Sequence, residues 1–238
     1  MPITSYVAAS RQVALQRSLE TIAMNIASQN VSGFQSSDLL FSEHVKNNVS
    51  YVNDVAMARD LKSGPVIQTD DPLHVAINGQ GYFAVQTKGG SVEFTRGGTF
   101  GLNTDRYVVT PQGDFLLDEG QTPIQLPDSA QEIIIGEDGT LSDQQSQISK
   151  VGVFNFENPQ DMRNSASGYL ATTQTPQILE FPTVIQGAYE GSNVNPILAT
   201  TQLTSTLREY QQNMKFIEED NKLESEANQR LVKLAPAG

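Results

Sequence analysis

Near the C-terminus, Leu203, Leu207, Tyr210, Met214 and Ile217 step four, three, four and three residues apart, and no other feature constrains the fold as strongly. That spacing is the narrow seam of a helix that pairs with another helix, not the broad stripe of one lying on a core. Continuing the series reaches Asn221, Glu224, Asn228 and Leu231, so the seam turns polar before it recovers. Asn195 and Pro196 supply a cap and a first-turn proline. A helix from there to Leu234 would be roughly 58 Å long at about 1.5 Å per residue. A compact chain of 238 residues has no internal need for so long a helix with so narrow a seam, and a partner helix is the natural explanation.

The N-terminus offers that partner. Ala8, Leu15, Leu19, Ile22 and Ile26 recur with the same alternation from Leu15 onward, with no glycine or proline after Pro2 until Gly33 ends the segment. Alone, a helix of this length is marginal in water, so pairing with the C-terminal helix would stabilise it. Removal of residues 1–30 is therefore expected to leave the middle of the chain folded and to abolish assembly.

The middle has a different grammar. Val75-Ala76-Ile77, Tyr82-Phe83-Ala84-Val85, Tyr107-Val108-Val109, Phe115-Leu116-Leu117 and Ile133-Ile134-Ile135 are short apolar runs separated by Gly- and Asp-rich turns. Strands so short, at spacings near ten residues, indicate antiparallel β structure. No helical period lies between them, which argues against βαβ crossovers. The expected fold class is α+β, with three parts. Residues 1–35 and 192–238 form a discontinuous helical module, residues 36–65 a connector of loops around a short extended piece, and residues 66–191 a mainly antiparallel β-rich outer domain.

Charge follows the same division. The formal net charge is -12, with Arg11, Arg17 and Glu20 the only charged side chains of residues 1–30 and five basic against six acidic in 196–238. The acidic excess lies in between, where it serves solubility or leaves the near-neutral ends to pack on copies of themselves. The balance excludes nucleic acid as a partner, because phosphate binding needs clustered Lys and Arg. No apolar run reaches the roughly 20 residues of a membrane span. Arg17 and Gln16 interrupt the N-terminal apolar residues, so no cleavable secretory signal is expected.

Fragments that invite a chemical reading lack the context that chemistry requires. Gly79-Gln80-Gly81 runs into a strand, not a helix, and so forms a turn and not a phosphate cradle. Asp70 and Asp71 are adjacent and point to opposite faces of an extended chain. Glu137-Asp138-Gly139-Thr140 lacks the spacing of a calcium loop, and Asp114, Asp118 and Glu119 read as acidic turns. Two histidines, His44 and His74, cannot make a three-histidine zinc site, and there are no cysteines. Neither a nucleophile elbow nor a zinc-protease helix motif occurs. The expectation is a non-catalytic chain with no cofactor, no metal and no small-molecule substrate.

Four blocks carry a resemblance. Ser10-Arg11-Gln12 followed by Asn25-Ile26-Ala27-Ser28-Gln29-Asn30-Val31-Ser32-Gly33-Phe34 resembles the N-terminal signature of the flagellar rod and hook proteins, departing from it at Ser28, at Val31 or Ser32, and at Gln35. Asp71-Pro72-Leu73-His74 through Gly79, Gly81 and Phe83, together with Phe94-Thr95-Arg96-Gly97, is similar to the family's β-domain signature, with His74 where the family usually has Asp. Gln186-Gly187-Ala188-Tyr189-Glu190-Gly191-Ser192-Asn193-Val194 resembles the family's junction into the C-terminal helix, and Leu207-Arg208-Glu209-Tyr210 a motif within it. The short length and the Arg-Gln pair favour the proximal rod over a distal-rod or hook-type subunit. A secreted non-catalytic binding module is disfavoured by the absence of tryptophan.

The resemblance implies a structural subunit of the bacterial flagellar basal body, a self-assembling axial protein of the periplasmic rod that serves motility. It would pass unfolded through the flagellar type III export apparatus and pack with other proximal and distal rod subunits, terminal helices innermost and β domain outside. Leu15, Leu19, Ile22 and Ile26 with Leu203, Leu207, Tyr210, Met214 and Ile217 are the expected assembly seam. Asn25, Asn30 and Gly33 would shape the helix exit.

Overall fold

The computed structural model describes residues 3–46, 49–130, 132–143 and 146–234. Pro2, Asn47 and Asn48, and the side chains of His44, Asn228 and Leu231, lie outside that description. The architecture is α+β, as the sequence leads one to expect: two terminal helices and antiparallel sheets. The chain forms two compact units. Met1–Ala27, Ser37–Arg59 and Asn195–Gly238 make the first; Ser28–Ser36 and Asp60–Val194 make the second.

The first unit holds helix α1 (Ile3–Ala27), strands β1 (Ser37–Lys46) and β2 (Val49–Arg59), and helix α2 (Pro196–Leu234). Asn195 caps α2, its side-chain oxygen accepting from the amides of Ile197 and Leu198 at 3.1 and 3.2 Å. The helices pair antiparallel: Arg11 reaches Glu209, while the carbonyl of Ala8, one turn earlier, accepts from Asn213. The residues of α2 that are buried or half-buried are Ala199, Leu203, Thr206, Tyr210, Asn213, Ile217 and Asp220, again in steps of four and three. The heptad is therefore present but rotated from the sequence reading. Leu203, Tyr210 and Ile217 belong to it, whereas Leu207 and Met214 stay 43% and 38% exposed. The cause lies on the facing helix. Small Ala8 is buried there, where Asn213 of α2 reaches its backbone. Asn213 donates to the Ala8 carbonyl and to Gln12, both at 2.9 Å.

The segment read as a connector contains a long antiparallel hairpin. β1 and β2 pair from Ser37 opposite Arg59 to Lys46 opposite Val49, with a register shift at Leu40/Phe41. A lone two-stranded hairpin is marginal in water. Here α1 packs against both strands and supports it.

Among its described residues, the second unit holds short strands and one turn of 3-10 helix at Pro159–Asp161. In chain order its first eight strands are β3 (Val66–Gln68), β4 (Val75–Ile77), β5 (Tyr82–Gln86), β6 (Val92–Thr95), β7 (Gly101–Leu102), β8 (Val108–Val109), β9 (Phe115–Leu116) and β10 (Ile134–Ile135). The rest are β11 (Thr140–Ser142), β12 (Gln147–Lys150), β13 (Val153–Asn155), β14 (Arg163–Asn164), β15 (Leu170–Ala171), β16 (Gln177–Ile178), β17 (Val184–Gln186) and β18 (Ala188–Glu190). The main sheet runs β14-β15-β6-β5-β9-β8-β7, with β13 bridging β5 to β16. β10-β11-β12 form a second sheet, and β4-β17 and β3-β18 are short pairs that bring the end of the unit back to its beginning. One core gathers Val75, Ile77, Phe83, Phe100, Leu116, Leu141 and Val184; another gathers Tyr82, Phe94, Leu117, Phe154 and Phe156. Phe83 meets Phe100 edge to face at 5.4 Å, a geometry aromatic pairs prefer.

Candidate functional site

The most constrained place in the second unit is where its three stretches leading into the first unit meet: Ser28–Ser36, the residues after Asp60, and those before Asn195. Arg96, at the end of β6, is only 4% exposed, and Glu190, closing β18, only 2%. Glu190 accepts from Arg96 Nε at 2.9 Å and from Nη2, and its other oxygen accepts from the Gly64 amide at 3.0 Å. Arg96 Nη1 donates to the carbonyls of Gly79 and Gly81 at 2.8 and 2.7 Å, and Nη2 to Ser63 Oγ and the Ile77 carbonyl. Every N–H of the guanidinium is thereby engaged. The polar cleft above it, lined by Gln35, Ser63, Gln80, Tyr82 and Asn155 among others, has no spare cationic donor for an anion.

The backbone of Glu190 ties in the other stretches. Its carbonyl accepts from the Gly33 amide at 2.7 Å and from Ser32 Oγ at 3.1 Å. Asn193 then gathers all three. Its Oδ1 accepts from the Ser36 amide at 2.7 Å, its Nδ2 donates to the carbonyls of Asp60 and Lys62, and its own amide donates to the Phe34 carbonyl. Two glycines make the approach possible. Gly33 sits at φ +67 with the Gly97 nitrogen 2.1 Å from where a Cβ would lie, and a Cβ on Gly64 would come 2.1 Å from the Gly191 carbonyl oxygen.

Most of the residues picked out by resemblance thus converge on one clamp: Gly33, Phe34, Gly79, Gly81, Arg96, Glu190 and Asn193. Thr95 and Ser192 act at its edge, their hydroxyls accepting from the amides of Gly97 and Val194. Two lie elsewhere in the same unit. Asn30 is exposed in the turn after α1, and Gly187 (φ +75) joins a separate knot, donating to the His74 carbonyl and accepting from the amides of Thr69 and Asp70. His74 itself meets Thr69 Oγ1 at 2.7 Å and the Tyr189 ring edge-on. Asn25 belongs to the first unit. Buried, it bonds the Ser37 amide and carbonyl at 3.0 and 2.9 Å and fixes the start of β1. Sequence reasoning did not single out Ser63 or Gly64, and it met Ser32 only as a departure from the family pattern.

The acidic candidates are committed to local structure. Asp138 accepts from the Thr140 hydroxyl and amide, which hold its carboxyl below the usual range. Asp71 and Asp118 accept from the amides of Leu73 and Thr122, and Glu119 pairs with Lys150 at 2.8 Å. Asp114 accepts from Tyr169 Oη at 3.0 Å. Burial pushes the Tyr169 phenol up to about 12, and the neighbouring Asp114 and Glu93 carboxylates add to the rise. No cluster of metal-ligand type occurs among the described residues.

On the terminal helices, Leu15, Leu19, Ile22 and Ile26 of α1 and Leu203, Tyr210 and Ile217 of α2 are half-buried. Tyr6, Val13, Met24, Phe216 and Leu223 remain 62%, 52%, 56%, 50% and 66% exposed.

Two family models match the chain: the flagellar hook protein FlgE/F/G D1 domain over residues 76–143 and the flagellar basal body rod FlgEFG protein C-terminal region over residues 185–230. The flagellar basal-body rod protein FlgF of Caulobacter vibrioides is 33% identical over 96% of this chain and 98% of its own length. FlgF of Mesorhizobium japonicum is 31% identical over 87% of this chain and 88% of its own length. FlgG of Agrobacterium fabrum is 28% identical over 89% of this chain and 92% of its own length. The second family model begins just before the clamp's Glu190 and Asn193 and runs through most of α2. On that identity and coverage, the chain belongs to the FlgF family of flagellar basal-body rod proteins, a structural and non-catalytic family.

Proposed function

We propose that this rod subunit joins its neighbours through the outward faces of α1 and α2, in the proximal part of the rod where it crosses the periplasm. Other rod subunits are its partners, and the flagellar export apparatus delivers it. The observation that carries this reading is the exposure of Leu207 and Met214 beside a seam the chain fills for itself. Leu15, Leu19, Ile22, Ile26, Leu203, Tyr210 and Ile217 are half-buried within the chain, whereas Leu207 and Met214 are exposed and left for another molecule. A face that meets a different face on the next copy builds a helical filament and not a closed ring. Dense helix packing then supplies the stiffness that transmitting torque requires.

Leu207→Asp tests this. The substitution puts a charge at an exposed site, so the free chain keeps its fold, while a charge buried without a partner in an interface is costly. The variant is expected to be exported, to show unchanged circular dichroism, and to be absent from purified basal bodies. Normal incorporation and swimming would overturn the reading.

A further inference from the structure

Val7, Ala8, Arg11, Glu209, Asn213 and Phe216 line a groove of about 460 Å³ between α1 and α2, with Phe216 half-exposed at its edge. Arg11 stands at its mouth, 53% exposed and 3.4 Å from Glu209. A half-exposed pair of this kind contributes about 0–1 kcal/mol and leaves Arg11 open to a second anion.

Beyond the groove, α2 outruns α1. The pairing of Arg11 with Glu209 and Ala8 with Asn213 puts Ile3 opposite about residue 218, so α2 continues for roughly 16 residues, about 24 Å. All the described side chains from Asn221 to Ala227 are exposed, Leu223 by 66%. A helical stretch of this length is marginal in water without cover. It is also acidic. Between residues 218 and 227 the acidic Glu218, Glu219, Asp220, Glu224 and Glu226 outnumber the one basic residue, Lys222, before Arg230 and Lys233 follow toward the end, whereas α1 carries Arg11 and Arg17 against Glu20. A helix that continues past its own groove cannot turn back into it, so any occupant of this kind comes from another molecule.

We infer that the acidic free end of α2 in one copy seats in the groove between α1 and α2 of a second copy, with Leu223 against the apolar floor and Arg11 facing Glu224 and Glu226. The inference rests on the assembly reading above and names the partner and register of that assembly. Both halves of the contact, the basic-mouthed groove and the acidic end, are on this chain, so repetition head to tail needs no other component.

The chain contains no cysteine, which makes disulfide trapping clean. In a strain lacking the native gene, a chain carrying both Gln212→Cys and Glu226→Cys, oxidised in assembled basal bodies, is expected to give disulfide-linked dimers and higher multiples. Either single variant should give none. Monomer alone, or a link to a protein of different mass, would overturn the proposal. Charge exchange gives a second readout should the cysteines impair incorporation. Arg11→Glu is expected to lower the yield of assembled subunit about tenfold, equal to about 1.4 kcal/mol. Adding Glu224→Arg and Glu226→Arg in the same chain is expected to restore it; no loss, or loss without rescue, would overturn the proposal. If Leu207→Asp blocks incorporation while these tests fail, only the docking register falls. If Leu207→Asp also incorporates normally, the assembly reading falls with it.

Discussion

Replacing Glu190 with alanine tests the clamp at its centre. The carboxylate accepts from two nitrogens of Arg96 and from the Gly64 amide, and both charged side chains are almost wholly buried. Alanine leaves the guanidinium in place with only carbonyls and a hydroxyl for company and removes the acceptor for Gly64. Breaking a buried pair from one side costs about 3–5 kcal/mol, because a charge is left in low dielectric without its counterpart. A domain is stable by only about 5–15 kcal/mol, so the loss is a large part of the total. For a unit of this size it corresponds to a fall in melting temperature on the order of 10 °C. Urea unfolding followed by tyrosine fluorescence would measure it, since the chain has seven tyrosines and no tryptophan. Arg11→Ala is the control. The exposed Arg11–Glu209 pair should cost about 0–1 kcal/mol. Replacing Arg96 and Glu190 together with methionine and leucine should recover much of the loss, as buried pairs often tolerate apolar substitution of similar volume. A Glu190→Ala variant within about 1 kcal/mol of the parent would refute the clamp as a source of stability.

Three further outcomes follow from the geometry. Gly33→Ala must hold a positive φ and place a methyl 2.1 Å from the Gly97 nitrogen, so denaturant unfolding should show a loss above the roughly 1–2 kcal/mol of left-handed backbone alone. Asn213→Ala removes two hydrogen bonds at the helix pair and should cost about 1–3 kcal/mol, read as lower helix stability by circular dichroism and not as loss of β structure. Tyr169 has a folded pKa raised from 10.0 to about 12, so its contribution to stability is fully present below pH 10 and is lost as pH rises through 12. The difference between absorbance titrations of the parent and Tyr169→Phe should place its ionisation near the upper value; a transition near pH 10 would contradict the buried site.

What the sequence by itself determined was whatever depends on neighbours in the chain. The four-three spacing and the cap at Asn195 specify α2, and short apolar runs between glycine turns specify strands, because helix and strand periods are local properties of the backbone. The resemblance named most members of the clamp without revealing that they touch. Tertiary structure alone decided three matters. It set the rotation of the α2 seam, where Asn213 meets Ala8 and Gln12 of the facing helix. It made a hairpin of residues 37–59, where Leu40, Phe41 and Met57 stay exposed and α1 supplies the support. It also brought Arg96 to Glu190, 94 positions away, and Asn193 to Ser36, 157 positions away. A lone arginine and a lone glutamate in a sequence carry no mark of burial; only the closing of the sheet strips them of water and makes each necessary to the other.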